Sequence, residues 1–187
     1  YNVHSGPCFH GDCLVKMFDG TSKKVSAIRK GDRVFTNNAS QNYSDKIETV
    51  LKTVFENGRA VLVELQGGWL GTQWHPVKIQ ENDEWQFPCQ INQGFERECQ
   101  AVYSFLLENR NTIFINNIES ATFAHGLTEN SVISHQYFGS EQIVNNLMEH
   151  NGWCNGYITI TPECIKRDPE SGLVNYIQPL NDMNNLS

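Results

Sequence analysis

No run of apolar residues in this chain approaches the roughly 18 that a membrane-crossing helix needs, so a transmembrane span is excluded. Basic residues are scarce. The 14 Lys and Arg stand against 21 Asp and Glu, the net charge is −7, and no basic stripe forms, which excludes nucleic acid as a partner. Cys-x-x-Cys is missing, and none of His4, His10, His75, His125, His135 and His150 sits at ligand spacing to a cysteine pair. A zinc site is therefore not expected, nor any other metal or cofactor. No repeat or low-complexity tract is present. The opening YNVHSGP has neither a basic n-region nor an apolar h-region, so it does not read as a signal peptide.

What is present is an acidic chain of ordinary composition, 39% hydrophobic over 187 residues. That length suits one domain, or one domain with a large appendage, and supports a core without staples. Six cysteines occur, and the spacing leaves open pairs Cys89–Cys99 and Cys154–Cys164. Strand-type runs dominate up to residue 126. Cys13 to Phe18 and Lys24 to Ile28 flank the turn Asp19-Gly20, a strong hairpin signal. Val34 to Thr36, Ile47 to Phe55, Ala60 to Leu65, Trp69 to Ile79 (bent at His75-Pro76), Trp85 to Cys89, Gln100 to Leu107, Thr112 to Ile115 and Ile118 to Ala124 continue the series. Short strands with close turns predict an all-β class.

The character changes after residue 139. Ile143, Val144, Leu147 and Met148 lie at helical spacing within Ser140 to Asn151, with Ser140 as N-cap and Gly152 at the C′ position. Gly156 to Ile165 and Leu173 to Leu180 flank the turn RDPESG and predict a hairpin. Residues 127–187 hold seven acidic residues against Lys166 and Arg167, so most of the net negative charge lies there.

The chemistry concentrates near the start. Cys8-Phe9-x-Gly11, followed by Gly31-Asp32-x-Val34, resembles the opening block of the Hint superfamily, the fold of inteins and of the hedgehog autoprocessing domain. In that family the cysteine stands at a scissile junction. The resemblance implies that Cys8 attacks the preceding carbonyl and converts the Pro7–Cys8 bond into a thioester. It also predicts further chain upstream of Cys8. An amide needs help to react this way: its leaving nitrogen must be protonated and its developing oxyanion held. Thr72-Gln73-Trp74-His75 matches the family's Thr-x-x-His block. It implies His75 as the proton donor to the nitrogen and Thr72 as the residue that binds the carbonyl or orients the ring.

Val102 to Gly126 resembles the last conserved blocks, with departures. Ser104 stands where inteins carry Asp, and Asn111 where they often carry His. Inteins end His-Asn and cleave by Asn cyclisation, whereas this chain has His125-Gly126, and glycine has no side chain for that step. His150-Asn151, the other such pair, reads as a helix terminus. Thr122 occupies the place of a second active-site cysteine in hedgehog domains, which keeps a donor near Cys8. The Asp that activates cholesterol in hedgehog domains has no clear counterpart among Glu48, Lys52 and Glu56. His125-Gly126 and the later Val-x-x-His135-x-Tyr137-Phe138-Gly139 resemble the Vint type, which follows von Willebrand A-like modules.

Together these imply an all-β Hint horseshoe with a C-terminal α+β extension. Residues 1–7 would be the remnant of an upstream segment, 8–126 the autoprocessing domain and 127–187 an adduct-recognition-like extension. The expected function is hedgehog-like self-cleavage by a monomer, without splicing. Its catalytic set is Cys8, Thr72, His75, His125 and Thr122, and its substrate is its own upstream chain, a von Willebrand A-like module. A small nucleophile or ligand would meet the extension at Trp153, Tyr157, Lys166 and Arg167. The alternatives are a cleavage-inactive binding module and a splicing intein. The compartment is not legible in the sequence, beyond a soluble chain without a membrane segment.

Overall fold

The computed structural model describes residues 6–79 and 83–180. Among the described residues, sixteen strands, most of them short, account for most of the regular structure. The first four are β1 (Phe9–His10), β2 (Leu14–Lys16), β3 (Ser22–Lys24) and β4 (Arg33–Phe35). The long β5 (Ser44–Val54) precedes β6 (Arg59–Glu64), β7 (Leu70–Gly71), β8 (Val77–Lys78) and β9 (Trp85–Gln86). After helix α1 (Pro88–Ile91) come β10 (Gly94–Glu98), β11 (Ala101–Leu107), β12 (Ile113–Ile115) and β13 (Ile118–Ser120). The extension holds α2 (Glu141–Leu147), β14 (Tyr157–Ile160), β15 (Ile165–Arg167) and β16 (Val174–Ile177).

An eight-stranded sheet runs β10-β6-β7-β1-β11-β5-β14, with β4 also paired to β5. A six-stranded sheet runs β3-β2-β12-β13-β8-β9, and β15-β16 stand alone as a hairpin. One core joins the two large sheets through Phe9, Val15, Trp69, Phe105, Ile113 and their neighbours. A second core lies between the extension and the sheet, where Leu51, Leu106 and Phe123 meet Phe138, Ile143, Leu147, Ile158 and Ile177.

Several elements differ from the sequence expectation, among them Cys89, which lies in α1 rather than in the strand expected over Trp85 to Cys89. Val25–Ala27 is a 3₁₀ turn rather than a strand; it buries Val25 and lets the Ser26 N–H reach the Gly11 carbonyl at 3.0 Å. Residues 157–160 do not pair in the predicted hairpin. They join β5 in parallel, Tyr157 opposite Val50 and Ile160 opposite Thr53, so the extension contributes a strand to the main sheet. The hairpin is confined to β15 and β16.

The helix also rotates its fourth position. Ile143, Val144 and Leu147 are buried as expected, but Met148 is exposed at the C-cap. Asn146 is buried in its place because its amide grips the β16 backbone. Its Nδ2 donates to the Ile177 carbonyl at 3.0 Å, and its Oδ1 accepts from the Ile177 N–H at 2.7 Å. The Tyr137 hydroxyl donates to the same Oδ1. His150, at the helix end, lies 3.1 Å from that Ile177 carbonyl through Nε2, which places His150-Asn151 in the packing of the extension.

Candidate active site

Register alone assembles the site. Strand β1 is inserted antiparallel between β7 and β11, with Phe9 opposite Gly71 on one side and opposite Tyr103 on the other. One residue earlier, the same register brings Cys8 opposite Thr72 and Ser104. Gly71 makes the approach possible, since a side-chain carbon there would lie 2.7 Å from the Cys8 carbonyl oxygen. The Thr72 N–H then donates to that oxygen at 2.9 Å.

The atoms of the Pro7–Cys8 peptide are all engaged. The Cys8 N–H donates to Thr72 Oγ1 at 3.0 Å, and Thr72 Oγ1 donates to the Gly6 carbonyl at 3.0 Å. Thr72 therefore holds the leaving nitrogen and the chain two residues upstream. It does not hold the reacting carbonyl, which belongs to Ser104. Ser104 Oγ lies 2.5 Å from the Pro7 carbonyl oxygen and 3.1 Å from Cys8 Sγ. One hydroxyl proton serves one acceptor at a time. Donated to Pro7, it leaves the Oγ lone pairs facing the thiol.

His75 returns beneath β1 through a turn in which its N–H donates to the Thr72 carbonyl at 3.3 Å. Its ring lies 4.1 Å from that of Phe9 and 5.9 Å from that of Trp69. Nε2 lies 2.9 Å from the Ala121 carbonyl, an acceptor only, so Nε2 carries the proton of the neutral ring. Nδ1 is then a bare lone pair, buried and without a hydrogen-bond partner. Burial lowers the His75 pKa to about 4, against the backbone acceptors at Ala121 and Cys8 that favour the charged form.

Cys8 is buried among Leu62, Cys99 and Val102. Burial raises its pKa to about 12, opposed by hydrogen bonds from Ser104 and Thr53 and reinforced by Cys99. At neutral pH the nucleophile is a protonated thiol and the His75 ring a neutral imidazole.

The other expected residues sit elsewhere. Thr122 commits its hydroxyl proton to the Asn111 carbonyl. His125 accepts the Leu127 N–H at Nδ1 (3.0 Å) and lines a polar cleft with Asn111, Thr112 and Glu119. Asn111 is held in turn by Asp45 at 2.7 Å and Gln41 at 2.6 Å. Trp153 packs on the core of the extension, Tyr157 faces the main core under Arg29, and Lys166 and Arg167 donate to the Glu163 and Gly172 carbonyls of their own loops. Cys89, Cys99 and Cys154 are free thiols, so neither spacing-based disulfide forms. Ser104 is the residue that sequence reasoning passed over as a departure from the intein pattern. Its position opposite Cys8 is a matter of register, and the spacing from Tyr103 was the only signal for it.

A family model for Vint, a Hint domain, matches residues 7–176, nearly the whole chain. The chain belongs to the Vint family of Hint domains. Hint and intein-like domains are autoprocessing domains, and the strand-rich architecture fits that fold. No curated protein matches the chain. Among solved structures, the intein-like domain from Clostridium thermocellum is similar at 13% identity and TM-score 0.49, covering 63% of this Vint chain and 99% of its own. The DnaB intein from Synechocystis sp. PCC 6803 is similar at 14% identity and TM-score 0.45, covering 62% and 97%. The gp41-1 intein is similar at 14% and 0.46, covering 63% and 100%. No helix among the described residues is long and apolar enough to cross a membrane.

Proposed function

We propose that this Vint domain cleaves its own chain at Pro7–Cys8 through a thioester, without splicing. The observation that carries the reading is Ser104 Oγ, in contact with both the carbonyl to be attacked and the sulfur that attacks it. In the reaction a Cys8 Sγ–C bond forms at Pro7 while the thiol proton is taken up by His75, whose ring interacts with the Cys8 backbone. Ser104 donates to the oxygen as it gains negative charge. The imidazolium, still anchored on Ala121, returns the proton to the Cys8 nitrogen, and the C–N bond breaks. His75 therefore acts as a shuttle, because a ring with a pKa of about 4 is neutral at the start and its one proton is committed to Ala121. Thr72 fixes the N–H during this exchange. Water, a thiol or an alcohol then displaces Sγ, leaving an acyl product on Pro7, a free thiol and a new α-amine on Cys8. His125 and Thr122 support the fold around Asn111 in this scheme. The substrate is the domain's own upstream chain, a von Willebrand A-like module in the reading from sequence.

One observation favours a rival, the cleavage-inactive binding module: the thiol is buried and held protonated. Mass spectrometry of a precursor carrying its upstream chain separates the two. Two fragments, faster release with hydroxylamine or dithiothreitol, a hydroxamate on Pro7, and an intact Cys8→Ala chain are expected. A precursor that stays whole with both traps establishes the binding module. Joined flanks would establish splicing, against which Gly126 stands.

A further inference from the structure

We infer that Phe138, from the extension, determines cleavage specificity by closing the subsite two residues before the cut, so that only glycine fits there. This deepens the cleavage reading above and rests on it for its kinetic consequence.

Gly6 is pinned from two sides. Its carbonyl accepts from Thr72 Oγ1, the atom that also accepts the Cys8 N–H. Its α-carbon faces the Phe138 ring. A methyl group added to Gly6 would lie 2.9 Å from Phe138 Cζ and 3.4 Å from Cε1, inside the roughly 3.5–4.0 Å at which carbon atoms pack. The backbone does not otherwise demand glycine, because Gly6 is outside the positive-φ region, and the following proline holds it extended.

The ring cannot yield easily. It stacks on Phe123 at 5.6 Å and 15°, touches Tyr137 and His135 at 5.2 and 4.8 Å, and is almost fully buried. The Phe138 backbone is tied at both ends, its N–H to His135 Nδ1 at 3.1 Å and its carbonyl to the Ala124 N–H at 2.7 Å. A side chain at position 6 must therefore push the peptide rather than the ring. Displacing the Gly6 carbonyl pulls Thr72 Oγ1 away from the leaving nitrogen. The extension thus reads the substrate through one aromatic wall.

The test uses the precursor with its upstream chain and measures cleavage rate together with hydrogen exchange at the Cys8 amide. Gly6→Ala should slow cleavage at least ~10-fold, since sub-ångström misplacement of reacting groups is costly. Gly6→Val should be slower still. Placing Gly6→Ala in a Phe138→Leu chain should bring the rate to within about threefold of Phe138→Leu alone, because contacting residues couple. Cys8 amide exchange should rise with Gly6→Ala and fall back in the double variant. Equal slowing in both backgrounds, or a Gly6→Ala chain as fast as the parent, overturns the inference. If Phe138→Leu does not fold, the Ala and Val series decides: graded loss supports the wall, and indifference to size removes it. If the parent never cleaves, the cleavage reading fails, and amide exchange alone then decides whether the wall exists.

Discussion

Ser104 is where the chemistry of a single hydroxyl replaces that of a carboxylate. A carboxylate at this position would set a negative charge against the oxyanion that forms on Pro7, unless it were protonated. A hydroxyl at 2.5 Å offers a proton with no charge to repel. Removing one such donor from an oxyanion site costs about 10²–10³-fold in rate. Ser104→Ala should therefore slow trap-dependent cleavage by that order while leaving the thermal midpoint within a few degrees. The reading of Ser104 as a donor is lost if Ser104→Ala keeps the parental rate. Cys8, Thr72 and His75 were legible from motif spacing because each belongs to a local block. Ser104 and Phe138 were not, since what matters about them is which strand or loop they face, and local pattern carries no register.

At the scale of elements, the extension is bound to the β-domain by backbone pairing, by an ion-pair relay and by apolar burial. Arg110 joins Glu48 of β5 at 2.6 Å and Glu141 of α2 at 2.8 Å. Each is a partly exposed contact of modest worth. The burial of Leu51, Leu106 and Phe123 beneath the extension is the larger contribution, so deleting 140–187 would strip apolar surface from the sheet. A point variant is the better probe of the joint. Asn146→Ala leaves the Ile177 N–H buried without its acceptor and weakens the hold on its carbonyl, which His150 still reaches. Urea unfolding should show a loss of about 2–3 kcal/mol, in line with the ~1–3 kcal/mol of an unsatisfied buried group. A loss well under 1 kcal/mol would mean that the amide merely accompanies the packing. The helix was legible because Ile143, Val144 and Leu147 repeat with the right period; the grip of Asn146 was not, because periodicity treats an amide as a surface residue. Gly94–Glu98 escaped for a related reason. Its alternation is of charged residues around an exposed Phe95, as suits an edge strand. The placement of Tyr157–Ile160 beside β5 depends on a parallel partner about a hundred residues away, which no local hairpin signal encodes.

For the whole molecule, two buried histidines, His75 and His125, and the half-buried His135 set an acid limit. Burial lowers His75, His125 and His135 to about 4 each, while an unfolded histidine titrates near 6.5. Between these values the unfolded chain binds more protons than the folded one, so stability falls as pH falls through that window and is level above it. The thermal midpoint should therefore drop from pH 7 to pH 4.5, and His125→Gln should shallow the slope. A midpoint unchanged over that range would show that the three rings charge without cost.

The pairing of β14 with β5 also sets a clock. Cys8 is translated before the wall at Phe138 and the strand at Tyr157–Ile160, which arrive more than a hundred residues later. At roughly 5–20 residues per second, the junction waits on the order of 10 s for the parts that position it. Parallel pairing across such a separation adds further delay. Any module translated ahead of the junction has that interval in which to fold before the bond that tethers it can be cut.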